Sequence, residues 1–334
     1  MPRIDLDAYV VAHAREWARL EELVRTRRRT GPQSDELVDR YQQVATHLSV
    51  IRTSAPDAEV ISYLSSLLAK ARIAMLGARI LSWGAFARFF TQQFPAALYR
   101  TRRWWLACMA VNVVLLGVLM LWFLDHPQVE QTLLSAKQVD ALVNSDFAGY
   151  YSASPAQDFA SHVWINNAWV TAQCIALGIT GVGVIWALYP TMVNLAVIGS
   201  IMTRHDRADL FWGLILPHGM LELTAVFVGA GVGLRLFWSW IAPGSLARGA
   251  SFAQAGRTAI TCALGLVAVL FVSGMIEGFV TPSPLPTWAR IAIGAIAETA
   301  FLAYVFVVGR RAALAGHTGD INPDLLEDRV ATQA

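Results

Sequence analysis

The chain has 334 residues, a mean hydropathy of +0.46, and 55% hydrophobic against 15% charged residues. A soluble globular chain carries about 25% charged residues, so the composition excludes an ordinary soluble protein. A formal net charge of +2 gives no general support for a nucleic-acid partner.

Charge is unevenly spread. Residues 1–104 hold sixteen of the twenty-six Lys and Arg, and His162–Met202 contains no Asp, Glu, Lys or Arg. That uncharged stretch exceeds the roughly 20 residues a membrane-spanning helix needs. Cys108, Cys174 and Cys262 lie in apolar runs without CxxC spacing. An odd, dispersed set fits buried small hydrophobes better than a disulfide framework.

Residues 1–30 lack the apolar centre of a signal peptide. Tyr9, Val10, His13, Trp17, Leu20 and Val24 instead recur at helical spacing. Gly31-Pro32 reads as a break, with a helix start at Ser34-Asp35-Glu36. Leu37, Tyr41, Val44 and Leu48 mark a second helix. Ile61, Leu64 and Leu68 mark a third, after Pro56. The expectation is a cytoplasmic helical domain over residues 1–83.

Over 84–104, Phe86, Phe89, Phe90 and Phe94 alternate with Arg88, Arg100, Arg102 and Arg103. This pattern predicts an amphipathic helix in the headgroup layer. A transmembrane domain follows over 105–315, with spans at about 105–124, 168–189, 258–276 and 291–308. The loop at 125–161 is net acidic, and Gly149, Tyr150, Tyr151 and Pro155 suggest irregular backbone near its end. Residues 316–334 read as a polar tail.

Basic residues near span ends favour the cytoplasm. This places the N-terminus, Arg204 and Arg207 inside, and then leaves Arg235, Arg248, Arg257, Arg310 and Arg311 outside if 210–241 crosses. A broken or re-entrant 210–241 segment, interrupted at Pro217, removes the conflict. Five plain spans are the rival topology. The fold class is thus all-α: a polytopic helical membrane protein with four to five transmembrane helices and a re-entrant or broken segment.

His218 and Glu222 stand four residues apart, on one helix face. An intramembrane carboxylate needs a partner, and Arg235 is a second candidate for it. A structural polar cluster, a proton or ion relay and a metal pair all remain open. Two ligands are too few for a metal site, and no HExxH motif is present, so neither metal nor cofactor is expected. Asn166, Asn167 and Asn194 can hydrogen-bond across helices. Glu298, at mid-span, is a stronger candidate than Glu277 at a span end. Gly178, Gly181, Gly183, Gly229 and Gly233 are candidate packing residues, with a homodimer seam as one use.

Asn166-Asn167-Ala168, Gly178, Gly181, Gly183, Asn194, Gly199, Pro217-His218-Gly219, Glu222 and Gly233-Leu234-Arg235 together resemble the stage II sporulation protein M family, the DUF95 group. The resemblance implies an integral protein of the bacterial cytoplasmic (inner) membrane. In spore formers, the founding member joins a peptidoglycan-cleaving transglycosylase and an amidase/endopeptidase, as a scaffold. Other members lie near genes for MoxR-type AAA+ ATPases, and the long N-terminal domain is similar to theirs. The resemblance therefore implies a non-enzymatic scaffold of an envelope complex with an ATPase or envelope enzymes as partners, while the glycine spacing points to a homo-oligomer and the apolar spans to contact with lipid. The alternatives are a transporter or channel using His218 and Glu222 and, more remotely, an intramembrane metal-dependent hydrolase.

Overall fold

In the computed structural model, residues 5–26, 30–75, 83–151 and 155–320 are described. Their regular elements are all helical. The chain divides into two compact units, 1–83 and 84–334.

The first unit contains α1 (Leu6–Arg25), α2 (Gly31–Ser54) and α3 (Ala58–Met75). The second helix begins earlier than Ser34. Pro32 occupies its first turn, where a missing N–H costs nothing, and the Thr30 N–H donates to Gln33 Oε1 at 2.9 Å. Trp17, Leu20, Leu23, Leu37, Val44, Leu48, Ile51, Leu64 and Leu67 fill the core. At its edge the Trp17 Nε1–H donates to His47 Nδ1 (3.2 Å). His13 packs against His47 with the rings tilted by 35° and their centroids 4.0 Å apart.

The second unit is built on α4 (Trp83–Asp125), α7 (Ala156–Leu177), α8 (Val182–Arg204), α9 (Ala208–Ile241), α10 (Arg248–Val280) and α11 (Thr287–Leu314). Between α4 and α7 lie α5 (Pro127–Leu133) and α6 (Ala136–Ala141), the latter extended through Leu142–Asp146 and Phe147–Tyr150. Among the described residues five helices, α4 and α8 to α11, are long and apolar enough to cross a membrane. At 22 residues α7 is about 33 Å long, and it packs among them as a sixth.

Contacts fix the helix directions. Gly231 of α9 meets Trp105 of α4, Gly309 of α11 meets Pro95, and Gly233 of α9 meets Gly178 just after α7. These contacts define one end of the bundle. At the other, Gly278 of α10 meets Ala156 of α7, Gly294 of α11 meets Pro217 of α9, and Gly199 of α8 meets Met120 of α4. The helices α4, α8 and α10 therefore run one way, and α7, α9 and α11 the other. Arg100, Arg102, Arg103, Arg235, Arg248, Arg257, Arg310 and Arg311 gather at the first end. Asp125, Glu130, Asp140, Asp146, Asp158, Asp206 and Asp209 gather at the second.

Four expectations need correction. The 210–241 segment is neither broken nor re-entrant, since α9 is continuous for 34 residues with Pro217 inside it. The carbonyl that a proline ring crowds belongs to residue i−4. Here that residue is Gly213, and α11 packs against Pro217 through Gly294. Neighbouring helices commonly sustain a proline in this setting.

The break falls instead inside the presumed span 168–189. There α7 ends at Leu177, a 3-10 turn covers Gly178–Thr180, and Gly181 adopts φ 74° before α8 begins. The Thr180 hydroxyl donates to Leu177 O (2.8 Å) and accepts from the Gly183 N–H (3.0 Å). An apolar run hides this turn because it contains no charge.

Thirdly, the aromatic-basic run does not form a separate interfacial helix up to residue 104. Phe94–Leu98, Thr101 and Trp105 are buried within α4. Fourthly, the acidic 125–161 stretch is not all polar loop but includes α5 and α6, while part of the segment expected to be irregular, 152–154, lies outside the described residues. Val139, Val143 and Phe147 of α6 and its extension, with Tyr151 directly after it, recur every four residues and pack over Ile201, Met202 and Phe211.

Arg204 and Arg207 consequently lie at the acidic end. Arg204 donates to Glu130 (2.6 Å) and to the Leu124 carbonyl (3.1 Å). At the arginine end the chain after α11 folds back. Arg100 donates to His317 O (2.8 Å), and Arg257 pairs with Asp320 (2.6 Å). The rest of the tail, 321–334, lies outside the described residues.

Two outcomes follow. Single cysteines at Gln157 and Ile179 should react with an impermeant maleimide from opposite membrane faces, and Ile179→Cys and Leu314→Cys from the same face. Same-face labelling at 157 and 179 would remove α7 from the crossing helices. In the first unit, burial and then the neighbouring His13 hold His47 below the ordinary histidine value of 6.5. Its stabilising contribution is present above pH 6.5 and lost as pH falls toward the lower folded value. The melting temperature of a 1–83 fragment should drop over that window, and His47→Gln should flatten the drop.

Candidate functional site

Near the acidic end, α9 and α10 bring polar side chains together inside the bundle. His218 and Glu222 come from α9. Ser273 and Glu277 come from α10, and Thr281 directly follows it. Each set repeats every four residues, so each forms one stripe on a helix. His218, Ser273, Glu277 and Thr281 are buried.

His218 Nδ1 lies 3.3 Å from Thr281 Oγ1, and His218 Nε2 lies 3.7 Å from Glu277 Oε1. Donor atoms of His218, Glu222 and Glu277 all fall within 4.8 Å of one another. Ser273 Oγ donates to His218 O (3.1 Å) and closes the crossing. The Oε2 atoms of Glu222 and Glu277 are buried without a hydrogen-bond partner.

Tyr151, at the end of the α6 extension, covers this cluster, with its ring 6.0 Å from the His218 ring. Burial, then Glu277, raises the hydroxyls of Tyr150 and Tyr151 above the ordinary tyrosine value. Both stay protonated at neutral pH.

The other candidates lie elsewhere. Arg235 is not a partner of the cluster. It is thirteen residues beyond Glu222 on α9, about 20 Å along the axis. It lines an open cleft of about 380 Å³ with Arg100, Arg102, Arg103, Gln254, Thr258 and Thr318. Glu298 of α11 accepts from Thr224 Oγ1 at 2.9 Å. Asn166 is exposed on α7 and donates to Asn167 (3.4 Å), and Asn194 is exposed on α8.

Two roles divide the glycines. Gly178, Gly181 and Gly183 form the α7–α8 turn, while Gly229 and Gly233 let α9 meet α7. A Cβ on Gly229 would come within 2.6 Å of Thr171 Cγ2, and one on Gly233 within 3.1 Å of Gly178 Cα.

Sequence reasoning missed Glu277 as a member of the cluster because it ended the span at 276. The Ser273/Glu277/Thr281 spacing, matching His218/Glu222, was the available signal.

Fold and site together define a polytopic helical membrane protein with a buried His-Glu-Glu cluster between two of its helices. The chain belongs to the stage II sporulation protein M family, whose model matches residues 106–282. A further family model, a domain of unknown function (DUF8413), matches residues 7–77. No curated protein and no solved structure matches the chain.

Gly233→Leu should destabilise the bundle by about 1–3 kcal/mol, because backbone on the facing side cannot yield as a side chain can. A thermal melt in detergent, compared with Gly256→Ala in open space, measures this.

Proposed function

We propose that the protein is the membrane scaffold of a cell-envelope-associated complex, seated in the bacterial cytoplasmic membrane with its arginine end toward the cytoplasm. One observation carries this reading: helices meet backbone to backbone at both ends of the bundle. Gly233 lies on Gly178, Gly309 on Pro95 and Gly294 on Pro217. Alternating access needs one group of helices to rock against another. Contacts of this closeness suit a fixed frame.

Orientation rests on the separation of charge between the two ends, since arginine favours the cytoplasmic side. The arginine-lined cleft suits the anionic headgroups of that leaflet. In this arrangement the N-terminal unit is cytoplasmic and docks a soluble partner, such as a MoxR-type AAA+ ATPase. The α5–α6 segment faces envelope enzymes from the opposite side. The scaffold has no catalytic activity of its own and assembles as a homo-oligomer.

The unpartnered carboxylate oxygens favour a second reading, an ion- or proton-coupled transporter. Both are tested on crosslinked detergent extracts and proteoliposomes. The scaffold reading expects co-purification of an ATPase or envelope hydrolase, with deletion of 1–83 removing the ATPase. Recovery of the protein alone, together with an ion flux that Glu222→Gln abolishes, would overturn it.

A further inference from the structure

We propose that His218, Glu222 and Glu277 form a binding site for one divalent transition-metal ion of the zinc class. The argument begins with proton positions. The Thr281 hydroxyl lies 3.4 Å from Ile276 O, the carbonyl to which it donates. With that hydroxyl donated, its oxygen accepts from the facing His218 Nδ1 in the Nδ1–H tautomer, the one a metal-binding Nε2 requires. In that tautomer His218 Nε2 presents a lone pair.

That lone pair faces Glu277 Oε1 across 3.7 Å. Two acceptors point at one another in a buried place, and the gap is too wide for a proton shared in a hydrogen bond. It is right for a cation. With bonds of about 2.1 Å from nitrogen and oxygen, the 3.7 Å separation subtends about 125° at the metal. Glu222 supplies a third donor on the same side.

Charge gives a second, independent reason. Glu222 and Glu277 each hold a buried oxygen without a partner. Among the described residues, neither pairs with Lys or Arg. Arg290 donates through Nη1 to Thr281 O (2.6 Å) and through Nη2 to Thr287 Oγ1 (3.1 Å), leaves its Nε without a partner, and forms no ion pair with either carboxylate. Two carboxylates this close in an apolar bundle repel unless a cation or a proton intervenes. A divalent ion neutralises both and uses the histidine lone pair.

One imidazole and two carboxylates form a nitrogen-oxygen set that suits zinc and its neighbours better than magnesium or copper(I). The Nδ1–H···Oγ contact to Thr281 is the outer bond that orients a metal-bound histidine. Three protein donors leave one coordination position open, on a site that Tyr151 helps to cover. The site ties α9 to α10 and makes no demand on the scaffold reading.

The test uses the full chain with a histidine-free tag, stripped with chelator and reloaded with zinc. His13, Glu16 and His47 form another candidate ligand group in the first unit, so a His13→Ala/His47→Ala variant serves as background. The expected result is about one zinc per chain by mass spectrometry in that background. Glu277→Gln and His218→Gln should each weaken binding at least about tenfold. Zinc should raise the melting temperature of the background chain and leave Glu277→Gln unmoved.

If the cluster variants do not fold, cobalt(II) bound to the background chain decides. Intense visible bands of low-coordinate cobalt support the site, and the weak spectrum of the hydrated ion overturns it. Zinc retained undiminished in folded Glu277→Gln, or lost entirely in the His13→Ala/His47→Ala background, also overturns it.

Discussion

The turn at Gly178–Gly181 governs the arrangement of everything after it. A helix entering lipid must satisfy its own backbone polar groups, so a chain inside a membrane has few places to reverse. Here reversal depends on Gly181 at φ 74°, a conformation that L side chains rarely adopt, and on the Thr180 hydroxyl bridging the two helix ends. The reversal adds one helix to the bundle. With six helices the first and last return to the same end, which lets Arg100 reach the carbonyls of Ala313 and His317.

The same turn explains the two-ended distribution of charge. Once α7 and α8 are separate helices, Arg204 falls among Asp125, Glu130 and Asp206. There it holds Glu130 and the carbonyl end of α4. The basic residues that conflicted in a five-span topology, Arg235, Arg248, Arg257, Arg310 and Arg311, then share one end. A broken α9 is unnecessary, and Pro217 becomes a packing residue set against Gly294.

Inside this frame the polar groups are unequal. Glu298 accepts from Thr224 through Oε1 and leaves Oε2 unpartnered, and Arg257 has Asp320. His218, Glu222 and Glu277 do not satisfy one another: His218 Nε2 stands 3.7 Å from Glu277 Oε1, and one oxygen of each glutamate is without a partner. Such an arrangement is costly in a low-dielectric bundle unless a ligand completes it. The amphipathic α6 lies over this region through Tyr151, so the segment that sequence hydropathy reads as a polar loop takes part in covering it.

Local physics alone determined much of the protein. Low charge and long apolar runs fixed a helical membrane domain, and the spacing of Trp17, Leu20, Leu37, Val44, Leu48 and Leu64 fixed helices in the first unit. The four-residue step from His218 to Glu222 was legible because helix periodicity is a property of neighbouring residues. Tertiary structure decided the rest. Thr281 and Glu277 meet His218 from more than fifty positions away, and Arg235 leaves the group despite sharing its helix. Hydropathy averages over a window and cannot see a turn that carries no charge, and no local pattern states which faces of two distant helices will touch.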